Sequence, residues 1–213
     1  MVNDGNEGPL LLLAHGAGAP MDSDAMSRIT AALVTVGFRV GRFEFPYMVK
    51  RRQDGRKRPP DGMETLLQTW RDAIAETLNT SERGERIFIG GKSMGGRMAS
   101  RLLAEDVPPG VAGGMVFGYP FHPPGRSGQW RVQHFPALRR PLWIAQGERD
   151  PFGKKAELST LDWESAPLRM HWASAGNHDF VPTKRSGLTR DDLLHEAALA
   201  ARTFARQCLE AYR

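Results

Sequence analysis

The fold follows from the stretch Ile87-Phe88-Ile89-Gly90-Gly91-Lys92-Ser93-Met94-Gly95-Gly96-Arg97, in which an apolar run leads through a Gly-x-Ser-x-Gly pattern into a helix-forming segment. A serine on so tight a strand-to-helix turn takes a strained backbone conformation, and a side chain at Gly91 or Gly95 would collide with a neighbouring element. The turn raises the Ser93 hydroxyl above the sheet edge at a helix N-terminus, where negative charge is favoured. The pattern therefore predicts Ser93 as a nucleophile.

Two simpler explanations exist for the same stretch. Glycines around a serine can merely permit a tight turn, so the pattern alone leaves the nucleophile open. The triplet Gly91-Lys92-Ser93 is also part of many phosphate-binding loops, but such a loop needs a glycine five residues before Gly91, where this chain has Arg86. The sequence therefore disfavours nucleotide binding at this turn.

Short apolar segments alternate with amphipathic helical segments along the whole chain. The predicted strands are residues 9–14, 38–45, 86–90, 111–117, 141–146 and 168–172, and helical spacing of apolar residues marks 26–36, 63–78 and 194–212. This alternation predicts an α/β fold with about six mostly parallel strands and helices on both faces of the sheet. The length of 213 residues favours one domain spanning residues 1–213.

Composition indicates an ordinary folded protein, with 40% hydrophobic and 25% charged residues. The apolar run at residues 10–14 is too short to span a membrane, and no basic stretch precedes it, so we expect no membrane association and no export. Cys208 is the single cysteine, which excludes an internal disulfide and fits a cytoplasmic location. Its place among apolar residues of the last helix predicts that it is buried.

The net charge of +5 is concentrated in residues 50–58, where six basic residues accompany Asp54. Such a segment is most often a solvated loop, although it can also border a site for an anionic ligand. We therefore expect a solvated loop here and consider a nucleic-acid partner unlikely.

A second glycine-containing turn, His15-Gly16-Ala17-Gly18-Ala19, follows the first apolar strand. Small residues let backbone NH groups approach one oxygen atom, so the segment is suited to an oxyanion hole with Ala17 NH and Met94 NH as donors. His15 itself is expected to be structural.

Candidate partners for Ser93 follow two later strands, in the order serine, acid, histidine. Gln146-Gly147-Glu148-Arg149-Asp150 ends the fifth predicted strand, and we favour Asp150 over Glu148 as the acid. Gly176-Asn177-His178 follows the sixth strand and supplies His178 as the base, because no other histidine after Ser93 has a comparable strand-end position.

These four motifs resemble the α/β-hydrolase superfamily across nearly the whole chain, and more narrowly a small hydrolase-like family that includes testis-expressed and NSL-complex subunit proteins. That family is related to dienelactone hydrolases, which use cysteine where this chain has Ser93. The resemblance implies Ser93 as nucleophile, Asp150 as acid and His178 as base, and it supplies no substrate. Some members resemble scaffolds rather than enzymes, so a non-catalytic interaction module remains the alternative.

The leading hypothesis is a serine hydrolase that cleaves an ester-like bond in a small molecule, with no metal and no organic cofactor. The connection 119–140 contains four prolines and cannot hold a helical cap, so we expect no large lid. An open site would favour short acyl groups, with Phe121, His122 and Trp130 as candidate rim contacts. Ester, thioester and lactone substrates, and the oligomeric state, stay open.

Overall fold

The computed structural model describes residues 1–81, 84–105, 107–161 and 166–212. In that part of the chain, seven strands form one sheet in the order β1-β3-β2-β4-β5-β6-β7. The strands are β1 (Val2–Asp4), β2 (Leu10–Ala14), β3 (Arg39–Phe43), β4 (Ile87–Lys92), β5 (Val111–Phe117), β6 (Leu142–Gly147) and β7 (Leu168–Ala173). Six of them lie within about two residues of the predicted strands, and all pairings among these six are parallel.

The seventh strand, β1, is an exposed edge strand that pairs antiparallel with β3. Its three residues carry no alternating apolar pattern, because they are at most partly buried. Such a segment cannot be predicted as a strand from its apolar pattern.

The helices are α1 (Asp24–Thr35), α2 (Pro46–Asp54), α3 (Met63–Thr80), α4 (Met94–Leu103), α5 (Lys155–Leu158) and α6 (Arg190–Glu210). Alternate side chains of β2 divide between two hydrophobic cores: Leu12 packs with residues of α3 and α4, and Leu11 packs with residues of α1 and α6. The sheet is thus covered on both faces, as predicted from the alternation of strands and helices. Cys208 is buried in α6, as expected.

The basic segment is only in part the solvated loop that we expected. Residues 55–58 lie outside any helix or strand and are mostly exposed, as expected. Residues 50–54 instead form the second half of α2, which has proline at its first turn and ends at Gly55 in the left-handed conformation. Arg52 pairs with Glu44 and Asp22, so its charge is compensated by distant parts of the chain. Pro46 favours the start of the helix and Gly55 favours its end, and these two signals outweigh the repulsion among its basic residues.

The connection from β5 to β6 carries no helical cap. Residues 118–141, all of which the structure describes, contain a single 3-10 turn at Phe135–Ala137. Phe121 and His122 are fully buried and His122 packs edge-on against Trp130, with ring centroids 5.3 Å apart. The expectation that Phe121 and His122 line the rim of a site is therefore wrong, because their rings hold the connection against the core. None of the helices formed by the described residues combines the length and apolar character needed to cross a membrane.

Candidate active site

Ser93 occupies the sharp turn between β4 and α4. Its backbone has φ 53° and ψ −116°, a conformation that L-residues rarely adopt. A Cβ atom at Gly91 would lie 2.2 Å from the carbonyl oxygen of Ala14, and one at Gly95 would lie 2.6 Å from the same oxygen. The steric requirement for both glycines predicted from the sequence is confirmed, since the end of β2 presses directly against the turn.

His178 and Asp150 meet at the carboxyl ends of β6 and β7. His178 Nδ1 lies 2.7 Å from Asp150 Oδ2, and the Asp150 side chain is fully buried. A carboxylate only accepts hydrogen bonds, so this contact favours the tautomer with its proton on Nδ1, and in the neutral ring of that tautomer the lone pair is on Nε2. The ring of Phe152 packs on the imidazole with centroids 4.4 Å apart. These contacts hold a histidine with a free basic nitrogen.

Glu148, the other candidate acid, faces away from His178. It accepts hydrogen bonds from Lys155 Nζ at 2.8 Å and from the backbone NH of Ala175 at 3.0 Å. These donors lower the pKa of Glu148, the larger effect coming from Lys155. Its position therefore fits a brace between the two strand-end loops.

Ser93 and His178 approach neighbouring residues at the end of β5. The Ser93 backbone NH donates to Phe117 O at 3.1 Å, and a Cβ atom on Gly118 would lie 3.2 Å from His178 Nδ1. Within the described residues no hydrogen bond joins the Ser93 hydroxyl to His178. Such bonds are often long in an enzyme without substrate. The structure therefore brings the imidazole and carboxylate into contact and sets the serine beside them.

The turn that begins at His15 adjoins the nucleophile turn. His15 is buried, and its Nδ1 donates to Gly16 O while Nε2 accepts from the backbone NH of Phe45. Burial lowers the pKa of His15. A Cβ atom on Gly16 would lie 3.7 Å from Ser93 Cβ, so this turn passes directly beside the serine. The position of His15 fits the structural role expected for it.

Helix α2 fixes the backbone orientation of the same turn. Tyr47 Oη donates to Ala17 O at 3.0 Å, and Arg51 Nη1 donates to Gly18 O at 2.9 Å. The Ala17 NH shares its peptide plane with Gly16 O, which accepts from His15 Nδ1 at 2.7 Å and from Tyr47 Oη at 3.4 Å. Among the described residues, neither Ala17 NH nor Met94 NH at the start of α4 has an acceptor. The two turns that meet at Ser93 therefore each contain an unused donor.

A family profile described as "Alpha/beta hydrolase domain" matches residues 7–206 of this chain. The chain belongs to the α/β-hydrolase domain family. Solved structures with the same fold include Est1E from Butyrivibrio proteoclasticus with bound ferulic acid, at a TM-score of 0.67 and 13% identity over 98% of this chain and 94% of that one. Dienelactone hydrolase from Anabaena variabilis has a TM-score of 0.67 and 18% identity over 92% and 85%. An alpha-beta serine hydrolase homologue from Coxiella burnetii has a TM-score of 0.65 and 17% identity over 91% and 84%.

Gln146 is a site residue of this α/β-hydrolase that the sequence analysis missed. It is fully buried, accepts from Tyr119 NH at 2.7 Å, and donates to Asp150 Oδ2 at 2.9 Å. The sequence signal for Gln146 was a polar residue inside an otherwise apolar strand. Because buried polar groups are nearly always hydrogen-bonded, such a residue indicates a partner close to it in the fold. Gln146 therefore fixes the carboxylate that holds His178.

Lys92, within the Gly-x-Ser-x-Gly pattern, was also missed. It is 8% exposed, and its Nζ lies 3.2 Å from His178 O and 2.8 Å from Asp179 Oδ1. A buried lysine needs such partners. Lys92 thus ties the strand before Ser93 to the loop that carries His178.

The remaining histidines after Ser93 lie away from this site or are engaged elsewhere. His171 lies within β7, His195 is exposed on α6, His122 lies 3.3 Å from Glu157, and His134 bonds to Ser100. Among residues 1–81, 84–105, 107–161 and 166–212, no group of three or more His, Cys, Asp or Glu side chains is placed to hold a metal ion.

Proposed function

We propose that this α/β-hydrolase is a serine hydrolase that cleaves ester-like bonds through a covalent acyl-enzyme. The observation that carries the proposal is the buried 2.7 Å contact between Asp150 Oδ2 and His178 Nδ1 beside a serine in a strained turn. The names of the similar structures, Est1E with bound ferulic acid and a dienelactone hydrolase, support an ester or lactone substrate class.

In the proposed reaction, His178 Nε2 takes the proton of the Ser93 hydroxyl as Oγ attacks the carbonyl carbon. The oxyanion that forms is held by Ala17 NH and Met94 NH at the N-terminus of α4. His178 then gives the proton to the leaving alcohol, and water attacks the acyl-enzyme by the same route. Asp150 keeps the imidazole in the required tautomer and stabilises its protonated form.

The test is labelling with a fluorophosphonate, which reacts only with an activated serine. Wild-type protein should be labelled at Ser93 by peptide mapping, and Ser93→Ala should lose both the label and hydrolysis of p-nitrophenyl butyrate. Ser174→Ala is the matched control, because Ser174 is exposed on the β7 side of the sheet edge and should leave both unchanged.

The melting temperature of Ser93→Ala should stay close to that of wild type, since the hydroxyl is not packed into the core. Labelling of another serine would move the nucleophile. Absence of labelling in a folded wild-type protein would favour the non-catalytic interaction module instead. The preference for short acyl groups and the cytoplasmic location stay predictions of this proposal.

A further inference from the structure

Three arginines converge beside the nucleophile helix. Arg97 and Arg101 lie one turn apart on the outward side of α4, and Arg131 comes from the connection between β5 and β6. Tyr119 Oη donates to Arg131 O at 2.8 Å, which fixes the connection over the helix. Burial lowers the pKa of Arg97, and the charges of Arg131 and Arg101 act in the same direction.

His134 indicates the same concentration of positive charge. It bonds to Ser100 Oγ of α4 at 2.8 Å. Burial lowers the pKa of His134 to about 4, and the charges of Arg101 and Arg97 contribute to the lowering. His134 therefore supplies no charge that could neutralise the neighbouring guanidinium groups.

No carboxylate in the described part of the chain forms an ion pair with Arg97, Arg101 or Arg131. Glu105, one turn beyond Arg101, instead contacts Arg71 at 3.1 Å. The Nε atoms of Arg97 and Arg101 are buried without a hydrogen-bond partner among the described residues. Buried donors without partners are costly, and like charges held together add to that cost. The cluster therefore carries positive charge that no carboxylate in the described part of the chain neutralises.

The cluster adjoins the proposed active site through the backbone. Arg97 NH donates to Ser93 O at 2.9 Å, so Arg97 lies four residues along the helix, about 6 Å of rise, from the serine. Tyr119 directly follows Gly118, which contacts His178. The backbone segments that carry Arg97 and Tyr119 therefore adjoin Ser93 and His178.

We propose that Arg97, Arg101 and Arg131 form an anion subsite that binds a carboxylate or phosphate group carried by the ester substrate. Guanidinium groups match the geometry of both oxyanions and remain charged at neutral pH. The inference rests on the proposed function, because it defines the substrate of that site as an anionic ester.

The test compares two p-nitrophenyl esters of similar size, the neutral butyrate and the negatively charged mono-glutarate. Wild type should have the higher kcat/KM for the glutarate ester. Arg97→Gln and Arg131→Gln should each reduce the glutarate-to-butyrate ratio of kcat/KM by about 10- to 100-fold, the range expected for a lost charge-assisted hydrogen bond. Arg126→Gln, at an exposed arginine of the same connection, should keep the wild-type ratio.

Free glutarate and inorganic phosphate, compared as inhibitors of butyrate hydrolysis at constant ionic strength, distinguish the two sources of negative charge. Tighter inhibition by one of them assigns the carboxylate or the phosphate class. Calorimetric titration of both anions into Ser93→Ala tests the subsite without turnover. If wild type does not hydrolyse butyrate, the proposed function fails, whereas anion binding that Arg97→Gln abolishes would still support the subsite. Equal ratios in all variants, or no binding of either anion, would overturn the subsite.

Discussion

Replacing Asp150 with asparagine tests the hydrogen-bond geometry around His178. Oδ2 of Asp150 accepts from His178 Nδ1 at 2.7 Å and from Gln146 Nε2 at 2.9 Å, while Oδ1 accepts from Phe152 NH at 2.8 Å. The asparagine side chain has a single oxygen, so it can replace either Oδ1 or Oδ2 of Asp150 as an acceptor, but not both. Whichever way the amide turns, its NH2 group faces a donor in a fully buried position.

Each orientation of the amide impairs the proposed reaction for a different reason. With NH2 toward His178, the ring must place its proton on Nε2 and can no longer act as a base. With NH2 toward Phe152, the tautomer survives, but the negative charge that stabilises the imidazolium is gone. We expect kcat to fall by roughly 10⁴-fold, equivalent to about 5 kcal/mol of barrier. The conflict with a buried donor should lower the free energy of unfolding by about 1–3 kcal/mol.

The assay is steady-state hydrolysis of p-nitrophenyl butyrate, with urea unfolding measured on the same samples. Glu148→Gln is the matched control, because the glutamine oxygen can still accept from Ala175 NH and only a partly exposed pair with Lys155 is lost. It should keep kcat within about threefold of wild type, since such pairs contribute little. Retention of a tenth of wild-type kcat by Asp150→Asn, or a larger effect of Glu148→Gln, would refute the role assigned to Asp150.

Two further predictions follow from buried groups near the site. Lys92→Met removes the hydrogen bond to His178 O and should lower kcat about 100-fold with little change in KM. Lys92→Arg should restore part of the lost kcat, and Lys184→Met, at an exposed lysine, should leave kcat unchanged. A change confined to KM would contradict a positioning role for Lys92. Because the folded-state pKa of His134 is about 4 against 6.5 for the unfolded chain, the unfolded state binds more protons between these values. The free energy of unfolding should therefore fall as pH drops from 6.5 to 4, less steeply in His134→Gln than in wild type or His195→Gln, as measured by urea unfolding; equal slopes would exclude the effect.

The parallel sheet and the serine turn were accessible from sequence because each depends on local rules. Buried parallel strands are short continuous apolar runs, and the glycines around Ser93 report a backbone contact that admits no side chain. The proximity of Asp150 and His178 also follows from a general rule, since parallel strands β6 and β7 end at the same edge of the sheet.

The helix α2 was accessible and was missed. Pro46 and Gly55 stand at the positions where helices begin and end, but the dense positive charge between them favoured a loop. Its importance became visible only in three dimensions, because Tyr47 and Arg51 bind carbonyl groups of a turn about thirty residues earlier in the chain. Sequence spacing carries no information about such contacts.

The basic segment also shows why summing charge along a sequence misplaces uncompensated charge. Residues 50–58 carry the same net charge as the whole chain, yet Arg52 there is neutralised by Glu44 and Asp22, which lie outside the segment. Arg97 and Arg101 attracted no notice because α4 is short and its charge is modest. Folding brings Arg131 close to them, and only then is positive charge concentrated at this place. An anion site made of residues from two segments depends on whether any carboxylate lies close enough to neutralise it. Only the tertiary structure decides that.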